Sequence, residues 1–153
     1  MLRPFLFALP FAALAASGAE AETVFVGDSL VLSTTTTCGT SIAAGETARL
    51  TYRPAGAKLG NGGDSYLAYV ANRSSFTMTI AGAVFGSGQN YAGQNVSSYL
   101  GVATIVGGVV GWQQSPAKIG PDTETIELTA TLANYLTIKG CTVTIRSNLI
   151  QVK

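Results

Sequence analysis

Apolar residues occupy every second position in stretches that recur along most of this chain. In the stretch TARLTY, for example, Ala48, Leu50 and Tyr52 alternate with polar or charged residues. The same alternation recurs at Phe76, Met78 and Ile80, at Ile126, Leu128, Ala130 and Leu132, and at Val143 and Ile145. Because successive side chains of a β-strand point to opposite faces, a period of two predicts strands with one face in the core. The chain is therefore expected to be all-β.

Segments rich in Gly, Pro, Asn and Ser separate these stretches at intervals of about ten residues, as in an all-β sandwich or barrel. They lie at 53–64, 71–75 and 115–124, and Gly140 marks a further bend. No stretch longer than about ten residues has helical spacing with capping residues. We predict one antiparallel β-sandwich domain of immunoglobulin-like (Ig-like) type, with a small β-barrel as the alternative.

The first 21 residues have the three parts of a secretory signal peptide. Arg3 is followed by an apolar stretch at 5–16, and the small residues that come next end in the cleavage pattern Ala19-Glu20-Ala21. The apolar stretch holds about a dozen residues, whereas a spanning helix needs about 20. We predict cleavage after Ala21, a mature domain at 22–153 without a membrane span, and export to the periplasm, cell surface or medium, most simply in a bacterium.

The chain has two cysteines, Cys38 and Cys141, and no histidine. Exported proteins live where disulfides form and persist, and two cysteines allow one intramolecular pairing. A metal site needs more ligands, and a redox pair is normally spaced as C-x-x-C. A Cys38–Cys141 disulfide is therefore predicted, tying the N-terminal and C-terminal strands together, with no metal and no cofactor.

Charge is sparse, with a net value of +1 and 11% charged residues. The Lys and Arg residues are scattered and form no basic stripe, so nucleic acid is not expected as a partner. The carboxylates Asp64, Asp122, Glu124 and Glu127 are interpreted as solvated acids. The composition thus favours a protein that acts through its surface.

The motif Gly27-Asp28-Ser29-Leu30 follows an apolar stretch. It resembles the first block of the GDSL hydrolases, whose serine nucleophile needs a histidine base. Because the chain has no histidine, Ser29 lacks a residue to accept its proton. We predict no catalytic residue here, and a bulge or tight bend at Asp28-Ser29. In this stretch one face is shared by Val24, Val26, Asp28, Leu30 and Leu32.

The stretch at 99–112, YLGVATIVGGVVGW, is apolar and uncharged. It is too short and too rich in glycine for a membrane helix. The simplest interpretation is a hairpin of two core strands, Val102 to Val106 and Val109 to Trp112, with a Gly107-Gly108 turn. The alternative is an apolar strand edge that pairs with another chain, for which 23–32 is a second candidate.

A polar stretch at 86–99, GSGQNYAGQNVSSY, is predicted to be a long loop. Sugar-binding modules stack sugars on Tyr and Trp rings and bind hydroxyls with amides. The candidate glycan-binding residues are Asn90, Tyr91, Tyr99, Trp112 and Gln113.

Two hypotheses about function follow, and neither is enzymatic. The first is a structural or adhesive subunit of the cell envelope or a surface fibre, with itself or other envelope proteins as partners through strand edges. The alternating residues after Gly140 are similar to the C-terminal strand of chaperone–usher pilins, but Val152 replaces their usual Tyr and alternation breaks at 147–148, so the chain is not assigned to that family. The second is a soluble glycan-binding module that uses the 86–99 loop and Trp112.

Overall fold

The computed structural model describes residues 21–72, 74–81, 85–97 and 101–152. Within these ranges the chain forms eight strands and three single 3₁₀ turns. The strands are β1 (Val24–Thr34), β2 (Thr47–Arg53), β3 (Ser65–Val70), β4 (Ser74–Ile80), β5 (Asn90–Ser97), β6 (Gly101–Ser115), β7 (Thr125–Ala133) and β8 (Thr142–Val152). The turns are η1 (Thr36–Cys38), η2 (Ala57–Leu59) and η3 (Tyr135–Thr137). Apart from Ala21, the predicted signal peptide lies outside the described residues.

Each strand pairs antiparallel with its sequence neighbours, and β1 also pairs with β8, which closes the sheet in the order of a barrel. Val24 lies opposite Val152 and Thr34 lies opposite Val143, so β1 and β8 pair along their whole length. The predicted all-β antiparallel class is confirmed. The eight strands follow one another in sequence order within this single sheet.

The core is formed by the faces that the alternation predicts in β2, β4, β7 and β8. The residues named above on these four strands are buried. In β1, the face shared by Leu30 and Leu32 is the outer one, where these side chains are 42% and 45% exposed. Phe25, Ser29 and Val31 point inward instead. The interior is therefore apolar and packed, with Ser29 as an exception on β1.

The predicted bulge at Asp28-Ser29 is wrong. Pairing of β1 with β2 runs without a shift from Phe25 to Leu30, and the irregularity with β8 falls between Val31 and Ser33. The prediction of an edge strand at 23–32 is also wrong, because β1 has a partner on each side.

The predicted hairpin at 102–112 is wrong as well. Gly101–Ser115 form one continuous strand that passes through Gly107 and Gly108. Neither glycine has the positive φ that a two-residue hairpin turn requires. A Cβ on Gly107 would overlap the Tyr91 hydroxyl and the Ala133 carbonyl oxygen. This glycine thus serves close packing and not a turn.

The predicted loop at 86–99 is replaced over most of its length by β5. Asn90 and Gln94 are exposed, whereas Tyr91 is buried. The alternation of a strand is present, but Gly93 stands where a second apolar residue would have revealed it. A Cβ there would overlap the Thr77 carbonyl oxygen on β4.

Candidate interaction surface

The disulfide closes one end of the sheet. Cys38 and Cys141 are bonded as predicted, with an S–S distance of 2.03 Å and Cα atoms 4.6 Å apart. The Thr35 hydroxyl donates to the Gly140 carbonyl oxygen at 3.0 Å and accepts from the Thr142 N–H at 2.9 Å. The threonine run before Cys38 thus holds η1 against the β7–β8 connection. The sulfurs have a structural role, and a disulfide is consistent with a periplasmic or extracellular location.

Ser29 is part of the interior. Its side chain is 2% exposed, and its hydroxyl is hydrogen-bonded to that of Ser147 on β8. Asp28 points the opposite way, with a side chain 85% exposed and 3.5 Å from the Arg49 guanidinium. The two residues of the hydrolase-like motif therefore lie on opposite faces of β1, and Ser29 has no access to a substrate.

Tyr91 also has a structural place. Its ring is 3% exposed, and its hydroxyl donates to the Ala133 carbonyl oxygen at 2.5 Å. Burial raises the pKa of Tyr91 to about 12. Its ring is not on the surface, where a sugar would need it.

Trp112 helps to close the end of the sheet opposite the disulfide. Its ring stacks on Phe85 with centroids 5.3 Å apart and meets the Tyr52 ring edge-on at 5.5 Å. The indole N–H donates to the Gln114 side-chain oxygen at 3.0 Å. One ring face and the polar edge are thus engaged within the protein.

The remaining candidate glycan residues are not brought together with these rings. Asn90 and Gln113 are exposed on the outer face of β5 and β6, whereas Tyr91 and Trp112 point inward. Tyr99 lies outside the described residues. The five residues therefore do not form one platform of rings and amides in the described part of the chain.

Several large apolar side chains are well exposed on the outer face. They are Leu30, Leu32, Val70, Val96, Val106, Val110, Ile150 and Val152. Scattered exposed apolar residues are normal, but grouped ones indicate interaction sites. One group lies on β1 and β8, where Val26 is opposite Ile150 and Val24 opposite Val152. The other group lies on β5 and β6 and consists of Val96, Val106 and Val110. The predicted hairpin of two core strands would have buried the two residues on β6.

The outer face of β4–β6 is also free of charge. No Asp, Glu, Lys or Arg occurs between Arg73 and Lys118, a segment that includes all three strands. Exposed residues on β5 and β6 include Ala92, Gln94, Thr104 and Val106, the last 68% exposed. Exposed strand edges are normally protected by charged side chains, and the segment between Arg73 and Lys118 offers none.

The strand β6 changes its partners along its length. Val109–Ser115 pair with β7, whereas Gly101–Gly108 pair with β5. Among the described residues, none pairs in a β-ladder with Gly101–Val106 on the side away from β5. We call this side of Gly101–Val106 the β6 edge.

The end of β7 explains why the β6 edge exists. Asn134 has a left-handed backbone, with φ of 58°, and Leu136 and Thr137 also have positive φ. This geometry turns the chain out of the sheet at Ala133 and into η3. There Tyr135 packs into the core against Tyr69 and Phe76. The chain thus closes the end of the core with η3, and β7 does not continue along β6.

No family model, curated protein or solved structure matches this chain. In the described ranges, no three Cys, Asp or Glu residues are grouped so that they could hold a metal ion. The helical turns described here are all too short to cross a membrane.

Proposed function

We propose that this protein is an exported, non-enzymatic structural or adhesive subunit of the cell envelope or of a surface fibre, which associates through a strand edge or the outer face of its sheet. The observation that carries the proposal is the uncharged, partly apolar outer face of β5 and β6 beside the β6 edge. Such a surface is a risk of aggregation in a protein that remains alone and an interface in one that assembles.

Export is supported by the disulfide and by the signal-like sequence at 1–21. A bond that closes a loop of this length stabilises a domain only where thiols become oxidised. The expected mature protein therefore begins at Glu22 and carries the Cys38–Cys141 bond. Intact-mass analysis of natively secreted material tests both points, since cleavage and oxidation each change the mass.

The glycan-binding alternative has weaker support. It needs aromatic rings on the surface, yet Tyr91 is buried and Trp112 is stacked on Phe85. A polysaccharide that bound against Trp112 would change the fluorescence of this residue, the single tryptophan of the chain.

The experiment that separates the two functions uses the oxidised mature chain. Sedimentation velocity over a wide range of concentration is expected to show reversible association, and tryptophan fluorescence is expected to be unchanged by a panel of polysaccharides. A protein that stays monomeric throughout and whose tryptophan is quenched by one sugar would reverse the assignment.

A further inference from the structure

We propose that the β6 edge is a docking site for the same edge of a second copy of this chain, joined antiparallel about a twofold axis at Thr104. This inference rests on the proposed function and specifies its contact. The two copies would then share one continuous sheet, in which the strand order across the contact is β5 and β6 of one copy followed by β6 and β5 of the other.

The backbone hydrogen-bonding groups of the β6 edge favour such a contact. A strand paired on one side directs every second N–H and C=O away from its partner. The six residues of the β6 edge therefore have about three N–H and about three C=O groups with no ladder partner among the described residues. A second strand satisfies all of them, and its residues need no side-chain complementarity to do so.

The β6 edge lacks the usual protection against this pairing. Natural edges carry charged residues or proline, or they are covered by other elements. Gly101–Val106 contain neither a charge nor a proline. The turn η3 packs beside β6, but three residues of 3₁₀ turn extend about 6 Å, whereas six residues of strand extend about 20 Å. Most of the edge therefore remains uncovered by η3.

A second copy fits this edge because the edge is complementary to itself. Directly opposite residues in an antiparallel pair share a face, so an outward residue must meet an outward residue. Thr104 and Val106 point outward, and centring the pair on Thr104 satisfies this condition with Thr104 opposite its own copy. A Thr–Thr pair across two strands is favourable. No like charges meet, because neither copy carries a charge here.

Charge placed at Thr104 tests both the site and its symmetry. Thr104→Lys and Thr104→Glu each put two like charges opposite one another and are expected to weaken association by about tenfold or more. An equimolar mixture of the two variants is expected to recover it, since Lys then meets Glu. Sedimentation velocity measures all three, and Trp112 fluorescence checks the fold.

Thr129→Lys is the matched control. Thr129 is an outward threonine on β7, which pairs with β6 and β8 on its two sides and belongs to the charged side of the sheet, so this variant is expected to associate as the wild type does. Should either Thr104 variant fail to fold, hydrogen exchange of the wild-type protein gives an independent readout. Amides of 101–106 are expected to become more protected as the concentration rises.

The failures of the two proposals look different. A wild-type chain that is monomeric at every concentration contradicts both. Association that survives Thr104→Lys and Thr104→Glu, or concentration-dependent protection on β1 and β8 only, contradicts the β6 edge and leaves the proposed function standing. Loss of association without recovery in the mixture contradicts the twofold pairing.

Discussion

The two sides of the closed sheet share one core but have different outer surfaces. The charged side, formed by β7, β8, β1 and β2, carries Asp28, Arg49, Glu127 and Arg146 among its outward residues. The uncharged side, formed by β4, β5 and β6, carries none. On the charged side, β1 pairs with β8 along its length and the disulfide links residues next to these strands. On the uncharged side, no described residue pairs with Gly101–Val106 of β6 on the side away from β5. The proposed association through the uncharged side would account for this difference.

The largest expected effect comes from removing the disulfide of the charged side. The Cys38→Ser/Cys141→Ser variant releases a constraint across 103 residues. In the chain-entropy model, a loop of this length is worth about 4.7 kcal/mol of unfolding free energy. Urea unfolding of the variant and of the wild type measures the loss. A loss below about 1 kcal/mol would mean that the disulfide constrains little of the unfolded chain.

Two glycines provide a matched test of rigidity. A Cβ at Gly27 would overlap the Asn148 carbonyl oxygen on β8, and a Cβ at Gly93 would overlap that of Thr77 on β4. Each Gly→Ala change is expected to lower the unfolding free energy by about 1–3 kcal/mol. Gly27→Ala is expected to have the larger effect, because its Cβ would meet the β1–β8 ladder of ten residue pairs, whereas that of Gly93 would meet the β4–β5 ladder of six. A larger loss for Gly93→Ala in urea unfolding would contradict this difference in rigidity.

Two tyrosines should respond in opposite directions to loss of the hydroxyl. Tyr91→Phe removes the bond to Ala133 and is expected to lower the unfolding free energy by about 1 kcal/mol. The Tyr52 hydroxyl is buried without a hydrogen-bond partner among the described residues, so Tyr52→Phe is expected to be neutral or stabilising. Thermal unfolding measures both. A similar loss in both variants would show that the Tyr52 hydroxyl has a partner.

Alkaline pH tests the same interior. Burial raises the pKa of Tyr69 and of Tyr91 to about 12, and it raises the pKa of Tyr52 further. Between pH 10 and 12 the unfolded chain therefore loses phenol protons that the folded chain keeps, so the unfolding free energy falls as the pH rises. Tyrosinate absorbance is expected to lag behind that of free tyrosine until the protein unfolds. Normal titration of all tyrosines in the folded protein would contradict their burial.

The smallest effect is expected on the outer face of the charged side. Asp28 and Arg49 are 3.5 Å apart with side chains 85% and 61% exposed. Asp28→Asn is expected to change the unfolding free energy by less than about 0.5 kcal/mol, because exposed ion pairs are strongly solvated. A substantially larger change in urea unfolding would show that surface charge stabilises this side.

The parts of this fold that follow from the sequence are those set by local pattern. The buried faces at Leu50, Met78 and Leu128 could be predicted because apolar residues alternate there. The disulfide could be predicted because two cysteines allow one intramolecular pairing and the signal-like sequence at 1–21 predicts export to an oxidising compartment. β5 could not, because Gly93 occupies an inward position where alternation would show an apolar residue.

The candidate interface depends on contacts between distant segments, which local pattern does not reveal. The Gly-Gly sequence favours a hairpin and so predicts a turn at Gly107. In the structure, glycine is required at this position because the Tyr91 hydroxyl and the Ala133 carbonyl oxygen leave no room for a Cβ. The β6 edge exists because the chain leaves the sheet after Ala133. That departure depends on left-handed backbone at Asn134, Leu136 and Thr137, two of which are residue types that rarely adopt it.

The change of partners along β6 has a mechanical consequence. Hydrogen bonds in an antiparallel ladder run perpendicular to the strands, so a pull along β6 strains all bonds of a ladder together and not one after another. In a pair of copies joined at the β6 edge, tension would pass from the β5 ladder along one continuous backbone into the β7 ladder. A single strand would thus carry the load from the junction between subunits to the side of the sheet that β8 and the disulfide hold together.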